Sequence, residues 1–323
     1  MSILYMFSPD VGSLDGKTTN GSISLTTART GSRSISMGSG AYLVCNFADT
    51  DEIYWRQGIY QSDLEISPRL YFRDGGVDQA SLSMNFSTGQ INAYRGNTGG
   101  TLLGQSAIGV LSPSTWHCLE VHLVINDSTG IFQVRVDGNI VINISGADTQ
   151  AGSNASVNNA YPNSSAGVTP WFLLDDLMCR DDDWCGQGGL VVLTPTANGT
   201  DTDWTPSAGN AWECVDEIPP SDSDYISETI SGSGRHLFQM SDLPSEIKTV
   251  TAVQTVAHTK VPYASSIRVS NAIKSGATTV SGVSNGLSTS SKYIETFYDD
   301  DPNTDSEWTV SNVNAIETGV EVE

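Results

Sequence analysis

The stretch LEVHLVI at 119–125 alternates strictly, with Leu119, Val121, Leu123 and Ile125 on one side and Glu120 and His122 on the other. A period of two is the mark of a strand with one face against a core. The same style continues downstream. IFQVRV (131–136) follows the turn NDSTG, and IVINI (140–144) follows DGN. Asp137-Gly138 suits a tight hairpin, because Gly accepts a positive φ and Asp tolerates one. The three runs therefore predict an antiparallel meander. Few windows anywhere in the chain show the i, i+3, i+4 apolar spacing of a helix.

Other short runs fit the same class. AYLVCNF (41–47), IYWRQGIY (53–60), RLYFRD (69–74), ASLSMNF (80–86) and INAYRG (91–96) are bounded by Gly, Asp or Asn. Regular short strands with turn punctuation predict an all-β sandwich or jelly roll. TPWFLLDDLMC (169–179) is a longer apolar run, which suits a central strand buried on both faces. DDDWCGQGG (181–189) then marks a boundary, with charge followed by Gly. It separates a first domain at 1–188 from a second β-rich domain at 189–323. The second domain has strand runs at 249–261, 266–273, 277–283 and 292–298.

Charge narrows the function. The 323 residues carry 37 acids and 15 bases, a net charge of −22, and both halves are acidic. Such a surface repels phosphate backbones, so nucleic acid is not an expected partner. No run reaches the roughly 20 apolar residues of a membrane helix. The start MSILYMFSPD lacks the basic and apolar regions of a signal peptide. Five cysteines, an odd and low number, point to reduced thiols in a chain made in a cytoplasm.

The acidic stretches are the first candidates for chemistry. WFLLDDLMCRDDDW (171–184) holds five aspartates. Neither it nor DDDPNTDSEW (299–308) places Gly sixth and an acid twelfth, as an EF-hand loop requires. A solvated turn is the expectation for both, with an irregular calcium loop as the alternative and no other cofactor. Asp175 and Asp176 are adjacent, so regular alternation sends them to opposite faces. That geometry is wrong for the paired carboxyls of a glycosidase, and Glu213 and Glu217 have Val215 between them. One of Asp175 and Asp176 is expected to point inward and fix a neighbouring loop. No Ser sits in a nucleophile-elbow context; SGSGR at 231–235 lacks the strand-to-helix setting. His122 reads as a solvent-facing strand residue. No catalytic residue is assigned. Aromatic residues cluster in the first domain, mostly as core; Tyr54, Trp55 and Tyr94 are the candidate glycan contacts.

On these residues the chain resembles two known groups. STWHCLEVHLVINDSTGIFQVRVDGNIVINISGADT (114–149), with Trp116, Glu120, Gly130 and the VDG at 136–138, is similar to a concanavalin A-like (laminin-G-type) jelly roll, as is the strand WFLLDDLMCRDDD. Residues 190–323 resemble the C-terminal region of tailed-bacteriophage structural proteins. LTPTANGTDTDWTPSAGNAWECVDEIPPSDSDYI (193–226), FQMSDLPSEIKTVTAVQTVAHTK (238–260) and DDDPNTDSEWTVSNVNAIETGVEV (299–322) carry that likeness. The resemblance implies a virion structural protein, made in a bacterial host cytoplasm and displayed as a capsid decoration or tail-associated appendage. Its implied partners are other virion proteins, copies of itself in a homo-oligomer, and host surface glycan. A polysaccharide-depolymerising glycosidase and a soluble cellular lectin are the alternatives. The carboxylate strand of the catalytic members of the superfamily is missing, and no lectin calcium ligands map onto this chain.

Overall fold

The computed structural model describes residues 2–14, 17–62, 67–164, 171–228, 234–263 and 265–322. The all-β class is borne out. The described residues are almost entirely strands and turns, and the chain divides into two compact units, Met1–Leu190 and Val191–Glu323.

Among the described residues unit 1 has fourteen strands: β1 (Ile3–Phe7), β2 (Thr18–Ser24), β3 (Ser34–Leu43), β4 (Cys45–Thr50), β5 (Glu52–Gln61), β6 (Arg69–Asp74), β7 (Val77–Asn85), β8 (Gln90–Arg95), β9 (Thr101–Gln105), β10 (His117–Val124), β11 (Gly130–Val136), β12 (Asn139–Ala147), β13 (Val157–Asn163) and β14 (Phe172–Arg180). Eleven of them follow one antiparallel path, β12-β11-β10-β5-β14-β3-β13-β6-β7-β8-β9, while β1 pairs with β14, β2 with β3 and β4 with β13. The path folds on itself at β3. Ile35–Met37 pair with β14, whereas Tyr42 pairs with β13. Between these contacts lies Gly40, whose φ of +68° is a conformation most L side chains avoid. The strand turns there from the first sheet (β12 to β14) into the second (β13 to β9). The hydroxyl of Ser164 accepts the Ala41 N–H at 3.0 Å and donates to the Gly38 carbonyl, fixing the corner.

The core lies between the two sheets. Trp55 and Ile59 of β5, Leu119, Val121 and Leu123 of β10, and Phe172 of β14 meet Leu70 and Phe72 of β6, Leu82 of β7 and Ile91 of β8. The alternation read at 119–125 is therefore the core register of β10. The meander is present as well, with Asp137 and Gly138 both at positive φ in its hairpin. The far ends of the path also approach each other. A Cβ on Gly104 of β9 would stand 2.8 Å from the Ile144 side chain of β12.

β14 is buried at every position, as a central strand should be; Thr169 and Pro170, which the sequence reading included in it, lie outside the described residues. One side of β14 pairs with β5 along its length. The other side changes partner, from β3 at Phe172–Leu174 to β1 at Leu177–Arg180. A bulge sits at that change, and Asp176 takes a φ of +53°. This corrects the expectation of opposite faces: the left-handed residue cancels the alternation, and both carboxylates meet the same segment. Asp175 accepts the Arg29 and Thr30 N–H groups at 2.8 and 3.3 Å. Asp176 accepts the Thr30 hydroxyl at 2.6 Å, the Arg29 guanidinium at 2.6 Å and the Leu190 N–H at 2.7 Å. Both acids have zero exposure, so each depends on these donors in place of water.

The segment after β14 is also more than a solvated turn. Asp182 and Asp183 are exposed, but Cys185 is buried. Trp184 packs edge-on against Tyr54 and His122, with the Arg135 guanidinium 3.7 Å above its ring. Gly186 N–H donates to Glu120 at 2.7 Å. The strap thus closes the outer face of the first sheet. His122, expected in solvent, is 8% exposed, stacked on Tyr54 and bonded to Glu52 at 2.8 Å.

Among its described residues unit 2 carries ten further strands: β15 (Pro195–Thr202), β16 (Thr205–Pro206), β17 (Ile226–Ser227), β18 (Gly234–Met240), β19 (Val253–Thr259), β20 (Arg268–Ser275), β21 (Thr278–Ser281), β22 (Asn285–Gly286), β23 (Lys292–Tyr298) and β24 (Glu317–Val322). The main sheet runs β15-β18-β24-β20-β21, and β19-β23 form a separate pair. The buried Asn271 amide of β20 donates to the Thr255 and Ile294 carbonyls, both at 3.0 Å, joining the pair to the sheet. In the acidic stretch 299–308, Asp301 is fully buried and accepts the Asn303 N–H at 2.9 Å and the Asn312 amide at 2.6 Å. Among the described residues no group of three or more His, Cys, Asp or Glu side chains is placed to hold a metal ion. Ser231–Ser233 of the SGSGR stretch lie outside the described residues.

Two outcomes test the β14 seam. Asp176→Ala strands the Arg29 charge and two further donors, so chemical denaturation should show a loss of about 3 kcal/mol. Burial, with the neighbouring Asp176 next, pushes the Asp175 carboxyl up to about 7. A carboxyl raised in the folded state stabilises fully below its unfolded value and loses that contribution as pH climbs through the folded one. Wild-type denaturant midpoints should therefore fall relative to those of Asp175→Asn as pH rises from 4 through 7.

Candidate functional site

The two sheets have unlike outer faces. In the second sheet, strand parity puts Leu70, Phe72, Ala80, Leu82, Ile91 and Ala93 inward. The alternate positions then form a polar and aromatic surface. One row runs Tyr161–Tyr71–Ser81–Tyr94 across β13, β6, β7 and β8. The next runs Asn163–Arg69–Ser83–Asn92, and Tyr42 of β3 stands opposite Asn163. Asn159 faces Arg73 on the other side of the tyrosine row.

The rings and cations are ordered by contact with each other. Tyr42 stacks on Tyr161 with centroids 5.0 Å apart, and Tyr71 meets Tyr161 edge-on at 6.2 Å. The Arg73 guanidinium lies 3.6 Å above the Tyr161 ring and is held by Asp78 at 2.6 Å. Such stacking fixes the planar cation while leaving part of its edge free to bond. Burial pushes the Tyr161 phenol up from its ordinary value, partly offset by Arg73, so the group is a neutral donor and acceptor at physiological pH. Tyr42, Tyr94, Tyr161, Arg69 and Asn163 are half-buried and present one edge to solvent.

One end of this face is roofed. The Gln79 carboxamide on β7 is fully buried, accepts the Ala151 and Gly152 N–H groups at 2.9 and 2.7 Å, and donates to the Asn154 carbonyl at 2.6 Å. Tyr71 Oη reaches Thr98 Oγ1 of the β8–β9 loop at 3.5 Å. Two buried polar atoms on the face, Ser81 Oγ and Asn159 Oδ1, have no hydrogen-bond partner. Each such atom costs about 1–3 kcal/mol in a protein interior.

The three aromatic residues expected to contact glycan separate cleanly. Tyr94 lies on this face. Trp55 does not: it has zero exposure and fills the core, its indole N–H on Gln57 at 3.1 Å, so it is corrected to a packing residue. Tyr54 is on the outer face of the other sheet, stacked at 4.2 Å on His122 and abutted by Trp184. It is half-buried there, and the structure does not bring it together with Tyr94. Tyr42, Tyr71, Tyr161, Arg69 and Arg73 were missed. The signal was in RLYFRD, where Arg, Tyr and Arg alternate with Leu and Phe, and in NAYPN (159–163), where Asn, Tyr and Asn share parity.

No protein-family model matches the chain, and no curated protein matches it. Among solved structures, it is similar to the alginate lyase Aly36B at 14% identity and a TM-score of 0.33, over 47% of this chain and 81% of that one. The carbohydrate-binding module CBM66 from Bacillus subtilis matches at 10% identity and 0.34, over 51% and 95%. A protein of unknown function with a galectin-like fold, also from Bacillus subtilis, matches at 12% identity and 0.39, over 56% and 96%.

Proposed function

We propose that this chain is a carbohydrate-binding protein whose ligand lies on the outer face of the second sheet. The observation that supports this reading is the row Tyr42–Tyr161–Tyr71, flanked by Arg69, Arg73, Asn159 and Asn163. Sugars offer C–H faces rimmed by hydroxyls. Tyrosines supply an apolar ring with a polar edge, and amides and guanidinium groups supply the donors and acceptors that fix orientation. On the outer face of the first sheet the Trp184–Gly186 strap covers Tyr54, His122 and Glu120.

The setting we propose is a tailed-phage particle, with the chain as an exposed head decoration or tail-associated appendage that meets host surface glycan. The support is the sequence resemblance at 193–226, 238–260 and 299–322, together with a net charge of −22 that favours solubility on an exposed surface. Immunogold labelling of purified particles tests this setting, and absence of the chain from mature virions would remove it.

The binding reading is tested by titrating oligosaccharides into the wild type and single variants. Tyr161→Ala should cost about 2 kcal/mol, roughly thirtyfold in Kd, with an unchanged circular dichroism spectrum. Tyr54→Ala should leave Kd as it is; the reverse pattern would move the site to the first sheet. Following the same incubations for new reducing ends separates binding from depolymerisation.

A further inference from the structure

The row that carries the proposed glycan site has one member that no protein group satisfies. Ser81 lies between Tyr71 on β6 and Tyr94 on β8 in the strand register. It has zero exposure, and its hydroxyl lacks any hydrogen-bond partner. A neighbouring serine on the same strand face, Ser83, takes the Asn92 amide at 3.5 Å, so a partner is available within the sheet to a hydroxyl of this kind.

The β8–β9 loop meets Tyr71, the cross-strand neighbour of Ser81, through Thr98. Its sequence is GNTGG (96–100), and its bonds are mostly its own. Gly99 N–H donates to Asn97 Oδ1 at 2.9 Å and Gly100 N–H to the Asn97 carbonyl at 2.8 Å. Gly96 N–H anchors one end to the Gln79 carbonyl at 2.8 Å. The bond from the loop tip to the tyrosine row is Thr98 with Tyr71, at 3.5 Å and so weak. The tip can lift with its internal bonds intact, giving up one long contact.

We infer that Ser81 is a ligand group of a covered subsite, and that the 96–100 loop is the cover, released when Thr98 leaves Tyr71. The inference rests on the glycan reading of this face and deepens it. A serine hydroxyl donates one bond and accepts others, and its complement is a group that does both, a sugar hydroxyl. Binding therefore includes the work of lifting the loop, and the apparent affinity is lowered by the fraction of molecules in which it is closed.

An array of defined neutral and acidic oligosaccharides, probed with the wild type, Ser81→Ala and Thr98→Ala, tests this. Ser81→Ala should weaken the wild-type signals about five- to tenfold, the loss of one hydrogen bond to ligand. Its melting temperature should stay level or rise, because an unsatisfied buried hydroxyl has been removed. Thr98→Ala should strengthen the same signals severalfold. Hydrogen exchange at 96–100 should quicken when the best array ligand is bound. Unchanged array signals for Ser81→Ala in the presence of wild-type binding would overturn the subsite alone. Absence of any wild-type signal would overturn the glycan reading and the subsite with it.

Discussion

The first unit depends on how β14 changes partner. One side of this strand follows β5 throughout, while the other passes from β3 to β1. Backbone donors at such a junction have no ladder to join, and buried donors without acceptors are costly. Asp175 and Asp176 resolve this with three of their four oxygens. They collect the N–H groups of Arg29, Thr30 and Leu190, the Thr30 hydroxyl and the Arg29 guanidinium. The bulge makes the arrangement possible, because it turns two sequence neighbours toward one segment. What looks in the sequence like a cluster of repelling acids is a junction where the segment between β2 and β3 and the end of the strap are tied to the central strand.

That junction also settles which outer face is open. Tying Leu190 to Asp176 draws the Asp181–Leu190 strap across the first sheet, where Trp184 meets Tyr54 and His122, and Gly186 meets the buried Glu120. The charged row Arg56–Glu120–Arg135 is thereby enclosed, and burial pushes the Glu120 carboxyl up from its ordinary value. On the second sheet Tyr42, Tyr94, Tyr161, Arg69 and Arg73 are half-buried, around a buried Tyr71. The two outer faces of the sandwich thus differ, one crossed by the chain's own strap and one lined by tyrosine, arginine and asparagine side chains.

Strands were legible in the sequence wherever one face is buried and the other polar. LEVHLVI gave its core positions directly, and the Asp137-Gly138 hairpin followed from φ preferences. Legibility failed where a local device broke the period. At Asp176 a positive φ reversed the expected direction of a side chain, and nothing in WFLLDDLMC marks the bulge. It failed again for His122 and Tyr54, whose environment comes from Trp184, more than 60 residues from either along the chain. The tyrosine face was partly readable. Parity within RLYFRD and NAYPN separates outward Arg, Tyr and Asn from inward Leu and Phe, but the adjacency of β13 and β6, which brings the two motifs together, comes only from the long-range pairing.

The most direct measurement is a crystal structure of the chain with a bound oligosaccharide. The account predicts sugar rings against Tyr161 and Tyr42, polar contacts from Arg69 or Asn163, and the 96–100 loop moved away from Tyr71. A ligand seated beside Trp184 and Tyr54 on the first sheet, with the second sheet empty, would contradict it.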